Sequence, residues 1–404
     1  MSPHAVVATG IGAIGPWGGG VEGLARALAA GRPLGVEIDG EGRDDRASRL
    51  AALVPDVDLS RWLPPASARR LGRPSRWAVA AARIALEDAG LPSLDGARVA
   101  VILATSFGAV RFTENLVRQT LVEGPESAQP FYFSECVANA AAAQVALAVG
   151  ARGANVTVTQ REAGPLVALA RGTSEVREGR ADVALVGAAD EMTPLLHRVL
   201  DRFGATARPT AHHDEAPRPF DVARNGMLAG EGAAVLVLER EADAVARGAS
   251  RRVRVAGTAG AFDAEAAPSD WGEGDETMAR GIARALARAG RSPAAIDRVV
   301  AGASGSRRGD RLEARALSRA WAGAPRPPVL VPKAVTGEYG GGQLAAAFLA
   351  ALGVPFGPVA AMTAVEPGLD VGVHDGSPLP IPEAVLVGAL AAGGAGAWAV
   401  LERA

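Results

Sequence analysis

Two distant stretches of this chain have almost the same strand-like sequence. Gly232–Arg240 reads GAAVLVLER, and Gly396–Arg403 repeats the pattern as GAWAVLER with one residue fewer. Further apolar strand patterns recur between residue 251 and the second copy. A repeat on this scale indicates an internal duplication of one α/β unit. We therefore predict two halves, residues 1–250 and 251–404, that pack together as one fused globule.

The composition narrows the classes of protein that remain. Hydrophobic residues make up 49% of the 404 residues and aromatic residues only 4%, so small side chains must pack a large core closely. The formal net charge of −2 and the lack of a dense basic run give no case for a nucleic-acid surface. A single cysteine, Cys136, excludes an internal disulfide and fits a reducing, cytoplasmic compartment.

Two segments bear on targeting and membranes. The N-terminus has a strand pattern and lacks the charged leader and apolar core of a signal peptide. The longest uncharged tract, Tyr339 to Val365, is interrupted by glycines, Gln343 and two prolines. We expect a buried helix plus a strand there, and no membrane span.

Hydrophobic periodicity predicts the other elements that surround a site. Helices are expected at Val21–Ala30, Trp77–Ala89 and Arg111–Val122, a buried strand at Val99–Ser106, and an apolar helix-rich segment at Phe131–Gly150. Residues 35–66 and 200–217 are polar or contain proline, and we expect irregular surface segments there.

The segment Asn155 to Asp190 has the pattern of a strand, a tight turn, a helix and a second strand. Such a turn holds its residue at a helix N-terminus, where unpaired N–H groups and the helix dipole favour negative charge. An enzyme would place a thiolate nucleophile there. Here the position carries Glu162, and a carboxylate is a poor acyl acceptor because its acylation gives a labile mixed anhydride.

This strand, elbow and helix, with the following sequence ADVALVGAAD, resemble the nucleophile segment of β-ketoacyl synthases. In that family, the condensing enzymes of the thiolase fold, a cysteine occupies the elbow. The sequences RPFD (Arg218 to Asp221) and GEGAAVLVLE also match, and the resemblance spans essentially the whole chain. It implies an α/β fold, a five-layer αβαβα sandwich built from two duplicated halves.

The resemblance also implies where two catalytic histidines would lie. The family motif N-A-H-G-T-x-x-x-x-x-D, counted back from Asp310 with Glu313 following, places its histidine on Gly302. The motif K-x-x-T-G-H corresponds to Lys333 and the next five residues, so Glu338 takes the second histidine position. With the elbow cysteine also replaced, the nucleophile, the decarboxylation catalyst and the general base are all missing.

The resemblance also implies a gating loop, and the composition singles out one lysine. The family's gating loop, G-F-G-G-x-N, corresponds to a stretch in which Ala392 replaces the aromatic gate while Gly393 and Gly394 remain. Lys333 is the only lysine among 42 basic residues, which suggests a need for a compact ammonium in a confined place. We predict a structural charge cluster of Lys333, Glu162 and Glu338; the alternative is chance retention on an exposed loop.

One subset of the family is especially similar, the chain length factor or ketosynthase β subunit of type II polyketide synthases. That resemblance implies a heterodimer with a catalytic ketosynthase, contact with an acyl carrier protein and a growing acyl chain, and no cofactor or metal. The chain-length tunnel would be lined from the helix after Ser106, and an ordinary core face is the alternative for these residues. The candidates are Phe107, Phe112, Asn115, Leu116, Gln119 and Thr120.

Several alternatives stay open from the residues alone. Glu162 and Glu338 could form an acid/base pair that decarboxylates a malonyl-carrier protein, or the chain could be a homodimeric scaffold for carrier protein. The segment Phe131 to Gln144 would form the subunit contact, although alanine-rich helices are also common in cores. For Cys136 we favour a buried, unreactive thiol over a displaced nucleophile. His212 and the adjacent His213 fit a solvated loop better than a metal site.

Overall fold

The fold is taken from a computed structural model that describes residues 5–38, 47–91, 94, 96–250 and 252–404. Its strands are β1 (Val6–Gly15), β2 (Gly18–Gly19), β3 (Val36–Glu37), β4 (Leu50–Ala52), β5 (Val99–Ala104), β6 (Asn155–Val158), β7 (Val183–Asp190), β8 (Ala229–Gly230), β9 (Gly232–Arg240), β10 (Val253–Phe262), β11 (Arg298–Val300), β12 (Val329–Leu330), β13 (Ala384–Ala391) and β14 (Ala395–Arg403). Its helices are α1 (Val21–Ala30), α2 (Pro65–Ala68), α3 (Arg73–Asp88), α4 (Val110–Val122), α5 (Pro130–Cys136), α6 (Ala140–Val149), α7 (Gly164–Arg177), α8 (Pro194–Arg202), α9 (Glu241–Ala246), α10 (Asp275–Ala289), α11 (Arg307–Ala320), α12 (Lys333–Thr336) and α13 (Gly340–Ala351).

The large sheet repeats one pairing scheme twice. Its strands follow the order β12-β11-β13-β14-β10-β1-β9-β7-β5-β6, with β2 beside β1. Outward from the central β10–β1 pair, each half makes two antiparallel pairs and then two parallel pairs. The register shifts at Ala8/Gly10 in β1 and at Val255/Gly257 in β10, the same place in the two halves. The duplication expected from the sequence is therefore present in the strand topology.

Helices cover both faces of each half and complete five layers. α7 and α13 pack against strands of both halves, α3 and α6 cover the outside of the first half, and α10 and α11 cover the outside of the second. In β5, Ala100 and Ile102 belong to the central core, whereas Val101 and Leu103 belong to the core beside α3. A strand buried on both faces needs apolar residues at every position, which explains the continuous apolar run. The predicted αβαβα sandwich is confirmed.

Two sequence predictions of local structure need correction, and the helix-rich segment expected at Phe131–Gly150 is confirmed. Residues 35–66 are not a plain surface loop, because β3 and β4 pair there with each other and β4 pairs with β8; residues 39–46 lie outside the described part. The strand expected after α13 is not formed, and Val365 makes only an isolated bridge with Asp221. The apolar segment after residue 130 is two helices, α5 and α6, bent by 91°.

The apolar helices of the described residues are short. No single helix among them is long and apolar enough to cross a bilayer. The bent pair α5 and α6 reaches the required length and composition only when the two helices are taken together.

Candidate functional site

The elbow lies between β6 and α7. After β6 ends at Val158, a single 3₁₀ turn over Arg161–Ala163 leads directly into α7, which begins at Gly164. Arg161 has a φ of 48°, in the left-handed region that residues with side chains seldom occupy. This sharp turn brings the next residue, Glu162, to the N-terminal end of a buried helix.

Lys333 forms the cationic centre of the site. It opens the short helix α12, its side chain has no exposed surface, and its Nζ lies 2.7 Å from Oε1 of Glu338. The Glu338 side chain is itself only 8% exposed. The position is thus an enclosed ion pair, so the exposed-loop alternative does not hold for Lys333. A compact ammonium fits this space, whereas a guanidinium is larger and planar.

Glu162 belongs to the same cluster. Its Oε2 is inaccessible to solvent and has no hydrogen-bond partner. Burial, followed by repulsion from Glu338, raises the pKa of Glu162 to about 7, against the attraction of Lys333 and Arg161. The fold thereby brings together Glu162, Lys333 and Glu338, the three residues expected to form a charge cluster.

Gly302 lies beside a third buried carboxyl of this region. Its N–H donates to Oε1 of Glu313 at 2.9 Å. Burial and the neighbouring Asp310 raise the pKa of Glu313 to about 7, and Lys333 acts in the opposite direction. A Cβ at position 302 would lie 2.9 Å from Cα of Ala389 in β13, so a larger side chain requires the strand to move. Neither Gly302 nor Glu338, the positions at which the resemblance implies histidines, carries an imidazole.

The gating-loop position adjoins the elbow. Ala392, Gly393 and Gly394 join β13 to β14, and both glycines have positive φ, 93° and 87°. Nη1 of Arg161 donates to the carbonyl oxygens of Ala392 at 3.3 Å and Pro268 at 3.2 Å. The elbow and the turn therefore hold each other through Arg161.

The tunnel candidates lie on or next to α4, where none of the thirteen residues is buried. Phe107 is 45% exposed, and Phe112, Leu116 and Gln119 are half-buried. The Phe112 ring packs against Phe131 and Tyr132 of α5, at centroid distances of 5.8 and 5.4 Å. Asn115 and Thr120 are exposed. An ordinary core face, the alternative weighed from the sequence, does not describe this helix.

The region of α4, α5 and α6 also exposes large apolar side chains, some of them in the segment Phe131 to Gln144 that we expect to form a subunit contact. We call this surface the α4–α6 patch; it comprises Val117, Leu121, Val122, Phe131, Phe133, Val137 and Leu147. Leu121 is 78% exposed and Phe133 64%. Groups of exposed large apolar side chains are typical of interaction sites. Its sequence signal was the amphipathic pattern of α4, which predicts a buried face without indicating what covers it.

Comparison with known proteins places this geometry in a family. Residues 4–244 match the family model described as β-ketoacyl synthase, N-terminal domain, and residues 253–354 match the one for the C-terminal domain. The chain belongs to the β-ketoacyl synthase family.

Relatives of this ketosynthase-family chain include 3-oxoacyl-(acyl-carrier-protein) synthases and polyketide β-ketoacyl synthases. The 3-oxoacyl-(acyl-carrier-protein) synthase 2 of Vibrio cholerae serotype O1 is 30% identical over 282 residues, 68% of this chain and 67% of the relative. The granaticin polyketide β-ketoacyl synthase 1 of Streptomyces violaceoruber is 34% identical over 315 residues, 75% of this chain and 74% of the relative.

Solved structures extend the likeness over nearly the full length. The ishigamide ketosynthase/chain length factor matches with a TM-score of 0.88 and 31% identity, covering 99% of both chains. A β-ketoacyl synthase from Burkholderia phymatum STM815 matches with a TM-score of 0.90 and 26% identity, again over 99% of both. The structural likeness therefore covers the whole ketosynthase-like fold.

Cys136, His212 and His213 are the remaining candidates for a nucleophile or a metal ligand in this ketosynthase-like chain. Cys136 is half-buried, and burial raises the pKa of its thiol, which disfavours the nucleophilic thiolate. His212 and His213 lie in the loop after α8, where their N–H groups donate to Oγ1 of Thr210. In the part of the chain that the structure describes, no group of three or more His, Cys, Asp or Glu side chains could hold a metal ion.

Proposed function

We propose that this chain is a non-catalytic ketosynthase-like subunit that pairs with an active ketosynthase and shapes the acyl tunnel. In this role it sets the length of a polyketide or polyene chain carried on an acyl carrier protein. The observation that carries the proposal is the charge cluster of Lys333, Glu162 and Glu338. By the family resemblance, Glu162, Gly302 and Glu338 stand where a catalytic ketosynthase would carry its cysteine and two histidines. A thioester cannot form without a thiolate, and neither histidine position can exchange a proton through an imidazole.

The α4–α6 patch supports a partner subunit. It lies on helices next to β6, which ends the sheet order and pairs with β5 alone among the described residues. An open strand edge beside exposed aromatic and aliphatic side chains provides both main-chain and apolar contacts for another chain. One similar structure is described as a ketosynthase/chain length factor, which fits a partner of the same fold.

The candidate tunnel residues supply the means of setting length. α4 lies at this surface, with its half-buried side chains, Phe112 and Leu116, on one face. A bulky residue on that face would end an apolar channel between two subunits, and a smaller one would extend it. An acyl chain grows until its end meets this wall, so the wall position sets the number of extensions.

Co-expression with a ketosynthase that carries the intact cysteine and both histidines tests the proposal. We expect the two chains to copurify and, with carrier protein and a malonyl donor, to make one main chain length. Leu116→Trp should shorten the product by at least one extension unit and Leu116→Ala should lengthen it, as read by mass spectrometry. Val245, an exposed residue of α9, provides the matched control, because Val245→Trp should leave product length unchanged.

Two outcomes would overturn the proposal. In one, the purified chain alone becomes acylated and extends that group with a malonyl donor. In the other, the Leu116 variants and equivalent changes at the other tunnel candidates leave product length unaltered. Release of CO₂ from malonyl-carrier protein by the chain alone would favour the decarboxylase alternative, and a stable homodimer that ignores ketosynthases would favour the scaffold.

A further inference from the structure

The helix that carries the tunnel candidates needs an anchor from elsewhere in the fold. α4 places no buried side chain in the core, and its N-cap residue, Ala109, offers no side-chain acceptor to the first turn. A helix start leaves several N–H groups without intrahelical partners. The Phe112 ring packs on α5, which is itself a surface helix. This packing therefore does not connect α4 to the core.

The anchor comes from the end of β7. Asp190 is 3% exposed, and its Oδ1 accepts hydrogen bonds from the hydroxyl of Thr105 at 2.9 Å and from the N–H groups of Ser106 at 2.7 Å and Phe107 at 3.2 Å. These three donors follow β5 directly and lead into α4. One buried carboxylate thus fixes the segment through which the chain enters the helix.

The next residue, Glu191, acts on the helix itself. It is fully buried, and its Oε1 accepts from the N–H of Arg111, the second residue of α4, at 2.9 Å. Burial, with a smaller contribution from Glu231, raises the pKa of Glu191 to about 7, against the hydrogen bond from Arg111 and the attraction of Arg73 and Arg111. A carboxylate at this place satisfies a first-turn N–H and interacts favourably with the helix dipole, the role that an N-cap side chain would otherwise perform.

A third contact reaches one turn further. The hydroxyl of Thr193, which also accepts from the N–H of Leu196, donates to Oε1 of Glu114 on α4. Three of the four residues 190–193 therefore each hold a successive part of the segment from 105 to 114. Such a row of directional bonds fixes the depth and the direction of a helix that lacks buried anchors of its own.

We infer that Asp190, Glu191 and Thr193 are positioning residues that set where α4 lies, and through it where the acyl tunnel ends. The inference rests on the proposed function for its effect on product length. The anchoring itself is a property of this chain alone and can be measured without a partner.

Hydrogen exchange of the purified chain tests the anchor. Glu191→Ala should make the amides of α4 exchange about tenfold faster, because the Arg111 N–H loses its buried acceptor. Glu191→Gln keeps an acceptor for the Arg111 N–H and should retain most of the protection. Glu114→Ala offers a second variant that is easy to fold, since Glu114 is only half-buried, and it should loosen α4 in the same direction.

The matched control is Glu175→Ala. Glu175 is also a buried carboxylate, but it lies near the C-terminal end of α7 and pairs with Arg171 and Arg180. Its loss should leave exchange in α4 unchanged. If Glu191→Ala and Glu114→Ala both left α4 exchange at the level of the unchanged protein, the anchoring inference would be wrong.

Product analysis in the complex with a ketosynthase separates the two proposals. Glu191→Ala should spread the product over neighbouring chain lengths, and Glu191→Gln should restore the main one. If Leu116 variants change product length and Glu191→Ala does not, the positioning role fails while the proposed function stands. If neither changes it, the proposed function fails, and the exchange result still decides whether the anchor exists.

Discussion

Glu162 lies at the elbow before α7, and its surroundings change the chemistry of its carboxyl group. The inaccessible Oε2 and the nearby Glu338 make the charged form costly, which Lys333 only partly offsets. Three carboxyls, those of Glu162, Glu313 and Glu338, surround one ammonium in this region. The cluster is therefore expected to take up protons near neutral pH.

At the residue scale we predict a pH-dependent effect of Glu162→Gln. The pKa of Glu162 is raised from 4.5 to about 7 in the folded chain, so the folded state holds a proton that the unfolded state releases earlier. The contribution of this carboxyl group to the free energy of unfolding is fully present below pH 4.5 and is lost as pH rises through about 7. Glutamine stays neutral at every pH. The free energy of unfolding of the variant, minus that of the unchanged protein, should therefore rise by about 2 kcal/mol from pH 5 to pH 8.

Urea unfolding at the two pH values checks this prediction. Glu22→Gln, on the surface helix α1, is the control and should give the same difference at both. A Glu162→Gln effect that did not change between pH 5 and pH 8 would mean that Glu162 is ionised throughout that range.

At the scale of elements, the helices α4, α5 and α6 show how a correct helix pattern can leave its packing open. The periodicity located α4 within a residue of its observed start, and the apolar run after residue 130 did become helical. Neither pattern states that the apolar side chains meet no other part of the chain. Their exposure became visible only once the layers were assembled, because α3 and α6 already fill the outer face of the first half.

We predict that Phe133→Asp weakens the complex with a ketosynthase at least tenfold while leaving the thermal midpoint of the chain alone nearly unchanged. Phe133 is 64% exposed on α5, so a charge there costs little in the free chain and much within an apolar interface. Ile381 is 61% exposed just before β13 and serves as the control. Size-exclusion chromatography and titration of the two purified chains measure the effect, and equal weakening by Ile381→Asp would argue against this surface.

At the scale of the whole molecule, the two halves share close approaches as well as strand order. A Cβ at Gly10 would lie 2.3 Å from the carbonyl oxygen of Ala85 in α3, and a Cβ at Gly257 would lie 2.4 Å from that of Ala285 in α10. Both glycines stand at the register shift of their strand. Each lets an outer helix contact the backbone of a central strand directly.

We predict that Gly10→Ala and Gly257→Ala each destabilise the protein by about 3 kcal/mol, because helix and strand must move apart in a close-packed layer. Gly372 has open space around its Cα and provides the control, since Gly372→Ala should be nearly neutral. Denaturant midpoints with unchanged slopes measure the costs. A large effect at one of the two positions and none at the other would contradict their structural equivalence.

The sequence by itself determined the repeated halves and the elbow, and the replacement of the catalytic residues stays a prediction from it. Repetition of GAAVLVLER, the apolar run of β5 and the turn before α7 are local patterns, and local backbone preference with hydrophobic periodicity is enough to decide them. The solitary lysine could be noticed in the same way, since composition is visible without a structure.

Only the tertiary structure decided which of these residues meet. The ion pair between Lys333 and Glu338, the approach of Glu162 to both, and the hold of Asp190 and Glu191 on α4 join segments that are far apart in the chain. Side-chain burial and charge coupling depend on how layers pack, and no periodicity in one segment encodes the distance to another. For the same reason, the sequence predicted a helix at α4 but not that none of its side chains would be buried.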